Sequence, residues 1–328
     1  MTENKKQHFV PRLLQRLFSF DSKTIGCYQI ETGNTYQSPI SHTAQKDWFY
    51  KANEDDKISI EHVFGDLEDS VQPVLQQLQG HNFDLKPDEI ETLFLFVVAQ
   101  LMRTPKAAKA MGFVLDICIN KGINAVSEEV NAGIRNKTNL PMQAAITIPK
   151  VAEYLSGKGY LFVCNNTGNN FLLSDNPACL FSPVMELAIE KQIMDLMTMQ
   201  APFSGYILYM PLGPSVGMIC YDNDYYDFGS DASISVTDED VKVLNWLEVV
   251  NASHIVMFQE GSFDSTNIKE ALDYRNSDVF LHFNDGIYTP IDKTFSLSML
   301  KFDEAGLIYK INRFTIEKPV KKNPLIGF

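Results

Sequence analysis

DEIETLFLFVVAQLMR, residues 88–103, decides the fold class. Two acids open it directly after Pro87, which suits the positive end of a helix dipole. From Leu93 onward it is apolar on nearly every side, and a helix without a polar face belongs in a core. Its apolar part is far shorter than the roughly 20 residues that span a bilayer. Arg103-Thr104-Pro105 interrupts the run, and residues 106–120 read as a second helix ended by Lys121-Gly122. Upstream, residues 59–78 predict a helix capped by Ser59. Ile60, Val63, Phe64, Leu67, Val71, Leu75 and Leu78 recur there at helical spacing, and Pro73 predicts a kink or break. Residues 11–18 predict a short helix with Pro11 in its first turn. Residues 142–155 predict another, weakened by Pro149. Residues 25–30 and 34–40 flank the turn-forming Glu31-Thr32-Gly33-Asn34 and predict a hairpin.

Beyond Gly157 the pattern changes. Residues 160–164, 171–174, 206–211 and 217–221 are short β-branched or aromatic runs that predict strands. Residues 186–199 are helical in pattern and rich in Met. Residues 236–259 predict a helix, with Thr237 as N-cap and Asp240 as the acidic residue three later. From Asn276 the signal is mixed, and after Glu317 the chain is basic (Lys318, Lys321, Lys322) and broken by Pro319 and Pro324. The expected architecture is α+β: a helix-rich N-terminal half packed on a C-terminal mixed or antiparallel sheet, as one compact domain over residues 1–328.

Of 328 residues, 45% are hydrophobic, enough for a globular core, and the formal net charge is −13. That balance argues against coating nucleic acid, where neutralised phosphates supply most non-specific affinity. A small basic pocket inside an acidic shell stays compatible with it. Cys27, Cys118, Cys164, Cys179 and Cys220 are odd in number and widely spaced, without a C-x-x-C. Reduced, buried thiols in a cytoplasmic protein are the expectation. Residues 1–8 are polar and lack the apolar run of a secretory leader.

P-loop, dinucleotide-binding, zincin and nucleophile-elbow signatures are all missing. Four polar clusters remain. His8 precedes the proline-opened helix, where an anion would meet backbone N–H groups and an imidazole would exchange protons near neutral pH; capping the helix is its plainer role. Arg103 ends the apolar helix; it either complements the dipole or clamps a phosphate or carboxylate. Ser174-Asp175-Asn176-Pro177 closes a strand, as ordinary turn chemistry or as a site presented at a strand end. Asn245 and Asn251 lie on an otherwise apolar helix and need hydrogen-bond partners if buried. Glu61 and Glu68 share a helix face, by default a solvated acidic stripe.

These segments together resemble a known bacterial family. His8-Phe9-Val10-Pro11 through Phe18 is similar to the H-[YF]-[VI]-P-x-x-x-L-x-x-F opening of the domain-of-unknown-function family 4238 (DUF4238). Trp48-Phe49-Tyr50 resembles its NFY segment, Ser59-Ile60-Glu61 through Glu68 its IE helix, and Arg103-Thr104-Pro105 its RTP. Ser174-Asp175-Asn176-Pro177 resembles its SDNP, Met210-Pro211-Leu212-Gly213-Pro214 its PLSP, and Asn245 and Asn251 fall in its closing helix. Gln15, Trp48 and Gly213 depart from the pattern. The resemblance covers about residues 5–260 and leaves 261–328 as a C-terminal extension; it implies no particular reaction.

Polar residues scattered this widely suggest a converged site. His8, Arg103, Asp175 and Asn176 are expected in one pocket, with Asn245 and Asn251 as further candidates and Glu61 or Glu68 as supporting or metal-holding acids beside Asp175. Without ligand, Arg103 is expected to pair with Asp175 or one of those glutamates. Three readings stay open. In the first, a hydrolase of a phosphodiester or nucleotide uses Arg103 as anion clamp, His8 as acid or base, and Asp175 to orient it or hold Mg²⁺ or Mn²⁺. In the second, a sensor or effector in bacterial stress or phage defence binds a small anionic ligand or nucleotide without turnover. In the third, the cluster is a structural network. A membrane partner is not expected.

Overall fold

The computed structural model describes residues 6–47, 49–50, 60–108, 140–181, 206–223, 228, 231–259 and 261–275. Most of the expected helix 106–120, the helix 186–199, Trp48, Ser59, Cys118 and the basic tail lie outside the described residues.

The apolar run forms helix α3, Pro87–Met102. Its residues Leu93, Phe94 and Phe96 through Gln100 are buried. It packs against α2, Ile60–Gln79, and α4, Leu140–Ser156. Both flanking helices run through their prolines, Pro73 and Pro149, so of the kink or break expected at Pro73 the break does not occur. Helix α1, Arg12–Leu17, follows Pro11, which sits at the N-cap.

Three sheets complete the α+β architecture. Strands β1, Lys6–His8, and β4, Gln45–Asp47, form an antiparallel pair. Strands β2, Thr24–Gln29, and β3, Thr35–Pro39, form the expected hairpin. Gly33 takes φ +71° in its turn, a region open to glycine without steric cost. Later in the chain come β5 (Gly159–Asn165), β6 (Leu173–Ser174), β7 (Cys179–Phe181), β8 (Ile207–Pro211), β9 (Val216–Tyr221), β10 (Ser233–Val236) and β11 (Ile255–Phe258). One sheet has the order β10-β5-β9-β8-β7, antiparallel except for β10 beside β5. The other, β3-β2-β11-β6, is antiparallel throughout. It joins the N-terminal hairpin to strands from the C-terminal half, so helices and strands interleave along the chain. Every residue of β8 and β9 is buried, which explains continuous apolar runs where a half-exposed strand would alternate.

The helix expected over 236–259 is instead helix α5, Asp238–Asn251, followed by a turn and strand β11. Its start is as read: Thr237 accepts from the Asp240 amide, and Asp240 reaches back to the Thr237 amide at 2.7 Å. Its end is set from outside. Asp175 accepts from the amides of Ser253 (2.6 Å), His254 (2.8 Å) and Ile255 (3.4 Å). Those donors would otherwise continue a helical ladder; captured by one carboxylate, they turn the chain into β11.

Candidate functional site

The polar residues fall into two clusters that meet at the end of α3. Arg103 is its C-cap. Thr104 then opens a new helical segment, its hydroxyl accepting from the Ala107 amide at 3.2 Å, and residues 105–108 are helical again. The RTP signature is thus a helix stop followed by a helix start. Its two polar side chains serve different clusters.

The first cluster surrounds Tyr50. The Tyr50 amide donates to Gln7 Oε1 at 2.7 Å, and its hydroxyl lies 3.4 Å from the His8 carbonyl and 3.5 Å from the Arg103 carbonyl. Arg103 Nη1 donates to Glu68 Oε1 at 2.9 Å, so the expected pairing is with a glutamate. The amide oxygen of Gln100, turned toward the guanidinium, accepts from Nη2 at 2.8 Å and Nε at 3.0 Å. The ring of Phe64 lies 4.9 Å from the guanidinium carbon. Burying a guanidinium without such partners would be prohibitive; here charge, hydrogen bonds and a π face all meet it. Glu61, on the same face of α2, accepts from Gln7 Nε2 at 3.2 Å.

His8 belongs to β1 and makes no cap for α1, which has only six residues; the helix-terminus argument for His8 therefore fails. Its Nε2 lies 3.2 Å from the Ile40 carbonyl and 3.5 Å from Arg12 Nε. One nitrogen cannot donate to the first and accept from the second. The shorter contact assigns the proton to Nε2. Burial, then the Arg12 charge, with smaller pushes from Arg103 and Lys6, lowers its pKa from 6.5 to about 4, against the raising effect of the Ile40 bond. His8 is neutral at physiological pH.

The second cluster holds the SDNP segment. Ser174 ends β6 in one sheet and Cys179 begins β7 in another, so residues 175–178 carry the chain between sheets. Helix α5 clamps this crossing. Asn245 accepts from the Leu172 amide at 2.8 Å and donates to the Asn170 carbonyl at 2.9 Å. Glu248 accepts from the Ser174 amide at 2.8 Å and from the Cys179 thiol at 3.3 Å. Asn251 donates to the carbonyls of Asn176 (2.6 Å) and Ala178 (3.2 Å), and its Oδ1 accepts from Lys106 at 2.8 Å. Asn176 in turn bonds the Thr104 hydroxyl and donates to the Asn251 carbonyl. Burial pushes the Asp175 carboxyl above its ordinary range, opposed by its three amide donors. Burial likewise pushes fully buried Glu248 up to about 8, Asp175 adding to the rise and bonds from Ser174 and Cys179 opposing it.

The structure thus brings His8, Arg103, Glu61 and Glu68 around Tyr50, and Asp175, Asn176, Asn245 and Asn251 around the sheet crossing. Glu248 is an addition that sequence reasoning missed; Gln7, Gln100 and Tyr50 lie in the segments it singled out but were given no role of their own. Glu248 stands three residues from both Asn245 and Asn251 on an apolar helix, a spacing that could have flagged it. The carboxylates considered for Mg²⁺ or Mn²⁺ do not form a donor set: Glu68 is paired with Arg103, and Asp175 is bound by backbone amides. Among the described residues no group of three or more His, Cys, Asp or Glu side chains is placed to hold a metal ion, and no helix is long and apolar enough to cross a membrane.

Gly213, which departs from PLSP, lies against the Gln79 side chain. A Cβ there would clash with Gln79 Oε1, and Gln79 donates to the neighbouring Leu212 carbonyl at 3.1 Å. The Gln79 amide occupies the space a serine would need.

No curated protein and no solved structure matches the chain. The sequence model described as "Protein of unknown function (DUF4238)" matches residues 6–262, a span that holds both clusters. The chain belongs to the DUF4238 family.

Proposed function

We propose that this protein binds a small phosphate-bearing anion beside His8, Arg12 and Arg103. One observation carries the reading: Arg12 Nε lies 3.5 Å from the part-buried His8 ring, and after burial, the largest cause, the charges of Arg12, Arg103 and Lys6 help keep that imidazole neutral, in a chain of net charge −13. The cationic part of that environment attracts an anion, and a bound anion opposes it, raising the His8 pKa. Asp175, Asn176, Asn245 and Asn251 serve this site at one remove, by fixing the crossing on which Thr104 leans. The four described cysteines are free and buried, which suits a reducing, cytoplasmic setting.

Binding without turnover, as in a sensor or effector of stress or phage defence, is the reading the carboxylates favour. Glu61, Glu68 and Asp175 already accept from protein donors, so orienting a water or the imidazole would cost an existing bond. A hydrolase of a phosphodiester or nucleotide would use the same site, with a His8 reprotonated by its ligand as proton donor to the leaving oxygen.

Calorimetric titration of the full chain with inorganic phosphate and nucleoside monophosphates tests the proposal. The parent binds, and His8→Ala and Arg12→Ala each weaken binding about tenfold, the scale of one charged hydrogen bond. No binding by the parent at millimolar ligand overturns it. Product release from RNA, DNA or nucleotides with Mg²⁺ or Mn²⁺ would move the reading to the hydrolase.

A further inference from the structure

The His8 ring keeps one nitrogen for solvent. With the proton on Nε2 and directed at the Ile40 carbonyl, Nδ1 holds the lone pair, since a neutral imidazole has one donor and one acceptor nitrogen. Nδ1 has no partner among the described residues, and it is not sealed in the interior, so solvent reaches it. Arg12 is exposed and makes no ion pair among the described residues, and its Nε lies 3.5 Å from Nε2 of the same ring. A free acceptor and a free guanidinium fork therefore stand around one small ring. Arg103, 1% exposed and paired with Glu68, lends this place its charge without touching a ligand.

We propose that His8 and Arg12 form a subsite for ribonucleoside 3′-phosphates, in which Arg12 holds the phosphate and His8 Nδ1 accepts a hydrogen bond from the neighbouring 2′-hydroxyl. The inference rests on the anion-binding reading above and names its ligand class. A guanidinium matches phosphate oxygens, but a phosphomonoester dianion has no proton to give Nδ1. Facing that lone pair with an acceptor oxygen alone would be repulsive. A hydroxyl on the carbon next to the one bearing the phosphate supplies the missing donor, and it does so at the short separation that Arg12 and His8 present. The 2′-hydroxyl is also the group by which a protein tells ribose from deoxyribose.

Adenosine 3′-monophosphate and 2′-deoxyadenosine 3′-monophosphate carry the same charge and differ only in that hydroxyl. Calorimetry with the full chain at pH 8, where His8 stays neutral with an anion bound, should show the parent binding the ribonucleotide about fivefold more tightly, the scale of one neutral hydrogen bond. His8→Gln can keep a donor on the Ile40 carbonyl but has no acceptor where Nδ1 stands, and it should bring the ratio close to one. His8→Ala should do the same and serves if the glutamine variant does not fold. Arg12→Ala should weaken both nucleotides about tenfold. An adenylate trinucleotide ending in a 3′-phosphate, titrated beside the mononucleotide, distinguishes a strand end from a free nucleotide as the source of this chemistry. Equal binding of the two mononucleotides by the parent, or a ratio that survives in both His8 variants, overturns this inference and leaves the anion site standing. Absence of binding of either by the parent overturns both.

Discussion

Replacing Glu248 by Gln should stabilise this protein, and increasingly so as pH rises. The buried carboxyl has its pKa pushed from an ordinary 4.5 to about 8. Between those values the folded chain holds a proton that the unfolded chain has released, so stability falls as pH climbs from about 4.5 and levels off above about 8. Each tenfold change in proton affinity is worth about 1.4 kcal/mol. The penalty is therefore about 2 kcal/mol at pH 6, about 3 kcal/mol at pH 7 and about 5 kcal/mol once the carboxyl is fully ionised. A glutamine is isosteric with the protonated acid: its oxygen can take the Ser174 amide and its NH₂ can face the Cys179 sulfur, the two partners Glu248 has now. Urea unfolding at 25 °C at half-unit steps from pH 5 to 8.5 gives the measurement. Parent and variant should nearly coincide at pH 5 and separate steadily above it. Taking their difference cancels the titrating groups remote from Glu248, while Asp175, which adds to the rise, enters the difference through that coupling. Parallel curves across the range would refute the reasoning, because they would mean that Glu248 ionises in the fold as easily as out of it.

Asp175→Ala should cost about 2–3 kcal/mol in a thermal or urea melt, since it removes the shared acceptor of the Ser253 and His254 amides in a part-buried turn; a loss below about 1 kcal/mol would show that the carboxylate does not hold the α5–β11 turn. Gly213→Ser should cost about 1 kcal/mol by dislodging the Gln79 amide from Leu212. In a Gln79→Ala background the same change should be nearly neutral, so full additivity in that double-mutant cycle would contradict the steric account.

Much of this fold is legible locally. Residues 93–102 announce a buried helix by being apolar on nearly every side, and Thr237 with Asp240 announces a capping box, because both signals act within a few residues. The 236–259 reading overran for the opposite reason. Ile255–Phe258 is a short continuous apolar run, which fits a helix or a buried strand equally well. The choice is made by Asp175, 78 residues before the first amide it captures. Strands Lys6–His8, Cys179–Phe181 and Ser233–Val236 went unread because each is at most four residues long and defined by its neighbour. Site residues with plain polar chemistry stood out, whereas Tyr50 reads as a packing aromatic until its amide and hydroxyl are seen joining Gln7, His8 and Arg103. Glu248 reads as one more surface acid until its helix face is known.

The His8 imidazole itself reports most directly on whether a phosphate-bearing anion binds here. Ring NMR signals of the full chain, followed from pH 3.5 to 8 with and without saturating inorganic phosphate, should give a pKa of about 4 in the free protein. Phosphate should raise it toward the ordinary 6.5. A His8 that already titrates near 6.5 in the free protein, or one whose pKa phosphate leaves unmoved, would contradict the account.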